Sequence, residues 1–178
     1  MRNKLATIRF FSGAPAPRGY RILRMMLRYA QTADAEGICS LINHYAERGL
    51  MLHRSMESIY DSLREFQVAC DDDNRVLGCV AVDIFWSDLA EVKSVAVNPN
   101  SVGQGIGGSL LKAAISDAVR MGVRRLFTLT YEQAFFERQG FEVIDRHSLP
   151  DKVWRECLGC PKSEACDEIA MMLVFEDK

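Results

Sequence analysis

Apolar positions recur with two periods along this chain, and the alternation between the two outlines its elements. The run Met26-Leu27-Arg28-Tyr29-Ala30 reads as a first strand. From two N-cap candidates, Thr32 and Asp34, Ile38, Leu41, Ile42 and Tyr45 fall on one helical face, and Gly49 ends that helix. Ile59, Leu63 and Phe66 give a second amphipathic stretch over 57–66, and 66–70 begins a strand. Asp71-Asp72-Asp73-Asn74 reads as a hairpin turn into a partner strand over 76–86, where Val80, Val82 and Ile84 alternate with Cys79, Ala81 and Asp83. A central strand at 90–97 is broken by Asn98-Pro99-Asn100. After a glycine cluster, Leu110, Leu111, Ala114, Ile115, Ala118 and Val119 form a helical stripe that Gly122 closes. A buried strand at 125–130, a short helix at 134–139 ending on Gly140, and strands at 141–145 and 168–176 follow. No segment repeats. Strands interleaved with two early and two later helices predict an α/β fold, a mixed sheet flanked by helices.

The 178 residues suffice for one hydrophobic core and not for two. Residues 24–178 read as a single domain, preceded by a flexible leader over 1–23 that carries Ser12, Gly13, Pro15, Pro17 and Gly19. A net charge of −2, spread without blocks, gives no electrostatic footprint for nucleic acid or an anionic membrane, so small molecules or proteins are the expected partners; self-association as a homodimer stays open. No apolar run approaches the ~20 residues of a membrane span, and the start lacks a signal peptide's apolar core. A cytoplasmic location is expected. The six cysteines are then reduced. Cys39, Cys70 and Cys79 fall on apolar faces and read as core. Cys157, Cys160 and Cys166 sit in an insert over 147–167; Cys-x-x-Cys is a zinc-like spacing, but a tetrahedral site needs four ligands, so no metal is assigned.

The segment Gly103-Gln104-Gly105-Ile106-Gly107-Gly108 joins a strand break to an amphipathic helix. Glycines serve tight turns that need φ > 0, and they also let backbone approach an anion at the electropositive start of a helix. Four glycines in six residues at such a start favour the anion. A dinucleotide fingerprint is excluded because Asn98 to Ser101 separates the strand from the glycines and no second mononucleotide half follows. A P-loop is excluded because no Lys-Ser or Lys-Thr pair follows.

The run Glu91-Val92-Lys93-Ser94-Val95-Ala96-Val97-Asn98-Pro99, with Gly103-Gln104-Gly105-Ile106-Gly107 and Leu110-Leu111, resembles the central motif of the GNAT acetyltransferases. Phe135-Phe136-Glu137-Arg138-Gln139-Gly140-Phe141 looks like that family's second coenzyme A motif. The resemblance spans about residues 26 to 145 and implies a mostly antiparallel central sheet flanked by helices, with acetyl-CoA as the cofactor. It implies that pantetheine pairs with Val95 and Val97 as an added strand. It places the pyrophosphate on the backbone of Val102, Gly103, Gln104, Gly105, Ile106 and Gly107, and further contacts at Ala96, Phe135, Phe136 and Arg138. Val102 departs from the family's Arg or Gln, which a backbone-based site tolerates.

Glu91 and Lys93 are two apart on a strand and are expected to share a face with Val95 and Val97. The resemblance makes Glu91 the general base that takes the proton of the acceptor ammonium. The family's tyrosine acid is replaced by Phe136, which leaves Tyr131 as the candidate acid. The amide of Val95 or Ala96 is the candidate oxyanion donor. Gly49-Leu50-Met51-Leu52-x-Arg54-Ser55, Leu126-Phe127-x-Leu129-Thr130 and the cysteine insert resemble short stand-alone N-acetylglutamate synthases. The acceptor implied is the α-amine of an amino acid such as L-glutamate, in arginine biosynthesis, with Arg54 and Lys93 on its carboxylates. The Arg-Ser pair of long synthases is replaced near Tyr131 and Glu132. Acetylation of a protein or another small amine, or acetyl-CoA binding without catalysis, are the competing readings.

Overall fold

A computed structural model of the chain describes residues 25–151, 153–154 and 166–175. The leader expected at 1–23, and Cys157 and Cys160, lie outside them. The described elements are β1 (Met26–Tyr29), α1 (Ala35–Ala46), α2 (Met56–Asp61), β2 (Phe66–Cys70), β3 (Val76–Ile84), β4 (Leu89–Val97), α3 (Ile106–Arg120), β5 (Arg125–Thr130), α4 (Gln133–Glu137), β6 (Glu142–Val143) and β7 (Ile169–Val174). They build one seven-stranded sheet in the order β1-β2-β3-β4-β5-β7-β6. Every neighbouring pair is antiparallel except β4 and β5.

Helices cover both faces, so the central strands bury alternate side chains on each. Under α3, Leu110, Leu111, Ala114 and Ala118 pack on Val80, Val82, Ala90 and Val92, joined by Phe136 and Phe141. On the other face, α1 sets Ile38, Leu41 and Ile42 against Phe66, Val68, Cys79 and Ala81. A third cluster combines Phe85, Leu89 and Phe127 with Leu149 and Val153. Part of the expected insert is therefore core. Cys39, Cys70 and Cys79 are buried free thiols, and complete burial pushes the Cys79 thiol up to about 12.

Local signals explain most boundaries. Asp71 Oδ1 accepts from the backbone N–H groups of Asp73 and Arg75, and Asn74 adopts φ 60°, which closes the β2–β3 hairpin. Ser55 caps α2 by accepting from the Ser58 N–H. Asp34 stands at the N-cap position of α1, as expected, without capping it. Its side chain makes no cap bond to that helix and instead accepts from the Gln31 N–H and from Arg28.

Gly78 decides how close α3 approaches the sheet. A Cβ there would lie 2.9 Å from Leu110 Cδ1, 3.1 Å from Ile106 Cγ2 and 3.0 Å from the Ala96 carbonyl oxygen. Leu110 can rotate away; a strand carbonyl cannot. Gly78→Ala is expected to destabilise by ~1–3 kcal/mol and to weaken coenzyme A binding by displacing the start of α3. Thermal unfolding alongside a coenzyme A titration measures both, and an unchanged melting temperature would contradict the close approach.

Candidate active site

An extra residue in β4 organises the site. Gly78 and Cys79 oppose Val97 and Ala96, whereas Ala81 opposes Lys93, so two steps along β3 match three along β4. Ser94 takes φ 57°, the left-handed conformation of a β-bulge. The bulge overturns the expected shared face. Ala90, Val92, Val95 and Val97 all pack toward α3. Ala96 opposes Cys79 and lies toward α1. Lys93 opposes Ala81, and Glu91 opposes Asp83, on that same α1 side. An inserted residue inverts side-chain alternation, so Glu91 and Lys93 lie on the opposite face from Val95 and Val97.

Below the bulge the sheet splits. The parallel ladder between β4 and β5 holds only from Leu89↔Arg125 to Glu91↔Phe127, while β5 continues to pair with β7 as far as Thr130. The Asn98 N–H donates to the Leu77 carbonyl at 2.7 Å. Backbone alternation then directs Ala96 toward β3, and turns the N–H and C=O of Val97, and likewise Val95, to the edge that β5 has left. This separates the two oxyanion candidates: Val95 faces the split and Ala96 belongs to the ladder.

The open edge runs into the glycine segment. Gly103 and Gly105 take φ 84° and 78°, so both are required by the turn as well as being available to an anion. Within α3 the Ser109 N–H bonds the Gly105 carbonyl, and the N–H groups of Ile106, Gly107 and Gly108 precede that bond. A Cβ at Gly103, Gly105 or Gly108 would meet nothing within 4 Å, and one at Gly107 would lie 3.5 Å from Val97 Cγ2 and 3.6 Å from the Phe135 ring. A bare helix start thus adjoins an unpaired strand edge. Val102 is 63% exposed beside it, and Gln104 reaches back to the Asn100 carbonyl.

The second motif divides its aromatic pair. Phe136 is 3% exposed and stacks edge to face with Phe135 and Phe141. That ring belongs to the core, while Phe135, against Gly107, stands at the edge of the split. Arg138 is exposed just after α4.

Above the bulge lies a polar stripe. Glu91 is 8% exposed, with Asp83 directly across the ladder. Opposed carboxylates repel, and Lys93 offsets the repulsion by bonding Asp83 Oδ2 at 2.8 Å, with Glu65 Oε2 at 3.9 Å. Lys93 therefore balances protein carboxylates. Arg54 is held by α2: Nε donates to Ser58 Oγ at 2.7 Å, and Nη2 to Ser62 Oγ at 2.9 Å and the Ser58 carbonyl at 3.1 Å. Asn43 on α1 fixes its backbone through both amide atoms. Tyr131 follows the end of β5 and is half-buried. Asp83, Asn43 and Tyr45 went unmarked in the sequence; cross-strand position relative to Glu91 was the available signal for Asp83. No group of three metal-ligating side chains occurs among the described residues, and no described helix is long and apolar enough to cross a membrane.

The acetyltransferase (GNAT) family model matches residues 38–141. An uncharacterised N-acetyltransferase of Chlorobaculum tepidum is 41% identical over 82% of this chain and 94% of its own. An amino-acid acetyltransferase of Mycobacterium tuberculosis is 35% identical over 76% of this chain and 79% of its own. Among solved structures, N-acetylglutamate synthase from Neisseria gonorrhoeae, complexed with coenzyme A and N-acetyl-glutamate, superposes with a TM-score of 0.78 at 26% identity, over 88% of this chain and 36% of the longer protein. The Mycobacterium tuberculosis protein Rv2747, in complex with CoA, superposes at 0.75 with 31% identity, over 85% of this chain and 99% of its own. An open strand edge continuing into a bare helix start fits the extended amide arm and pyrophosphate of coenzyme A. This chain belongs to the GNAT acetyltransferase family and transfers the acetyl group of acetyl-CoA to an amine.

Proposed function

We propose that the acceptor is the α-amine of a free amino acid, with L-glutamate preferred, and that residues 24–178 form one domain acting in cytoplasmic arginine biosynthesis. The observation that carries this is the fixed guanidinium of Arg54. With Nε and both donors of Nη2 engaged by Ser58 and Ser62, the guanidinium is held in one orientation and its Nη1 donors are left for a carboxylate. The Mycobacterium tuberculosis relative named an amino-acid acetyltransferase supports the same class. Lys93 stays with Asp83.

The chemistry needs little beyond position. Glu91, on the α1 face just above the bulge, accepts the ammonium proton directly or through one water, which makes the amine nucleophilic. The Val95 N–H, on the open edge, donates to the thioester oxygen as negative charge develops there. The backbone from Val95 through Gly107 holds the cofactor, with Val102, Gln104, Phe135 and Arg138 around it. Tyr131 supplies a proton to the departing thiolate, which with a thiol pKa near ~8.5 leaves readily.

A panel of amino acids with a free-thiol readout tests the acceptor. Glutamate is expected to turn over well above alanine, and equal rates would overturn the reading. Arg54→Lys keeps the charge and loses the fork; the KM for glutamate should rise about 10- to 100-fold with the KM for acetyl-CoA unchanged.

A further inference from the structure

Tyr45 stands on the last turn of α1 and reaches across to the sheet. Its hydroxyl donates a 2.5 Å hydrogen bond to the carbonyl of Val97. That carbonyl belongs to the edge of β4 that β5 has left, beside Gly107 at the start of α3. An arm pairing with this edge as an added strand uses its amide N–H groups on such carbonyls. The Tyr45 hydroxyl therefore occupies an acceptor on the edge along which such an arm would run. The ring is half-buried among the α1 cluster and lies edge-on to His44 at 5.4 Å. Burial raises its pKa and outweighs the opposing pull of the Arg48 charge, so the phenol keeps its proton and remains a donor at neutral pH.

We propose that Tyr45 is a placeholder for acetyl-CoA: in the free enzyme its hydroxyl satisfies the Val97 carbonyl, and on binding it yields that carbonyl to an amide N–H of the pantetheine arm. This rests on the placement of the arm along β4. A carbonyl left without a donor on a half-buried edge is unfavourable, so the placeholder stabilises the split sheet before the cofactor arrives. The same bond must break for the arm to seat, so it lowers cofactor affinity. A residue of merely structural role would support binding; a placeholder opposes it.

Tyr45→Phe removes the hydroxyl and keeps the ring. Isothermal titration with coenzyme A is expected to show about 2- to 10-fold tighter binding. The free variant should melt a few degrees below the parent, and the deficit should vanish at saturating coenzyme A, because the bound parent no longer makes the bond. Unchanged or weaker affinity would overturn the proposal, since it would mean that Tyr45 and the arm share the two lone pairs of the carbonyl or never meet. Gly105→Asp tests the underlying placement separately by setting a negative charge at the helix start; Gly105→Asn, which tolerates the left-handed backbone, controls for folding. Binding weakened about 10-fold or more in the Asp variant relative to Asn supports the placement. Equal binding in the two means the pyrophosphate lies elsewhere. Loss in Gly105→Asp without tightening in Tyr45→Phe refutes the placeholder alone.

Discussion

Glu91→Gln lowers kcat for acetyl transfer by about 10²- to 10⁴-fold and leaves the KM for acetyl-CoA within a factor of about two of the parent value. The amide matches the carboxylate in shape and can retain its neighbours, but it cannot take a proton at neutral pH. The KM should be spared because the bulge at Ser94 separates the two proposed functions on one strand: proton transfer above it, on the α1 face, and backbone pairing below it, on the edge facing the split. Steady-state kinetics at saturating acceptor make the measurement. Unchanged kcat would remove Glu91 from the role of base, and a parallel rise in the KM for acetyl-CoA would show that the two halves of β4 are not independent. Because Asp83 lies directly opposite, Asp83→Asn is the informative companion; a loss of similar size there would move the proton-accepting role across the ladder.

The sequence was most legible where both faces of an element are buried or where a turn residue has one conformation to offer. β5 was expected at 125–130 and occupies Arg125–Thr130, because its apolar run lies between Gly122 and the helix that follows. The hairpin at Asp71 to Asn74 was readable because an Asx side chain closes its own turn. The bulge was not readable from residue type. Ser94 is no glycine, yet it adopts a positive φ. Its trace lay in phase: apolar residues fall on even positions at Ala90 and Val92 and on odd positions at Val95 and Val97. Strict alternation would have set two charged side chains in line with two half-buried valines, and one inserted residue removes that conflict. Phe135 and Phe136 illustrate another limit. Adjacent residues on a one-turn helix point in different directions, and only packing against Phe141 decides which of them is core. Tyr45 carried the period of a core residue, and nothing in that period foretold that its hydroxyl reaches a carbonyl 52 positions away.

Asp34→Ala is expected to cost about 3 kcal/mol of stability, the loss typical when one partner of a buried ion pair is removed. Asp34 is 4% exposed, and the Arg28 guanidinium grips it with two bonds, at 2.6 and 3.0 Å, while the Gln31 N–H donates to the same carboxylate at 2.7 Å. Hydrogen bonding from Arg28, foremost among the causes, holds the Asp34 carboxyl below its ordinary value despite burial, and the bond to Asp34 raises Arg28 in turn. A carboxyl lowered on folding contributes stability above its unfolded value, near ~3.9, and loses it as pH falls through the lower folded value. The parent should therefore lose this stability only below about pH 4, whereas Asp34→Asn should lack it at neutral pH and show a flatter acid limb in denaturant titrations. If the two acid limbs coincide, the pair does not govern acid stability. The Arg28→Met, Asp34→Leu double variant should recover part of the loss, because it leaves no buried charge alone. The pair also matters to function, since it ties β1 to the start of α1, and α1 carries both Asn43, which fixes the backbone of Arg54, and Tyr45, which reaches the cofactor edge. Loosening that anchor should raise the KM for the acceptor and alter cofactor affinity together, a coupling that neither Arg54→Lys nor Tyr45→Phe produces alone.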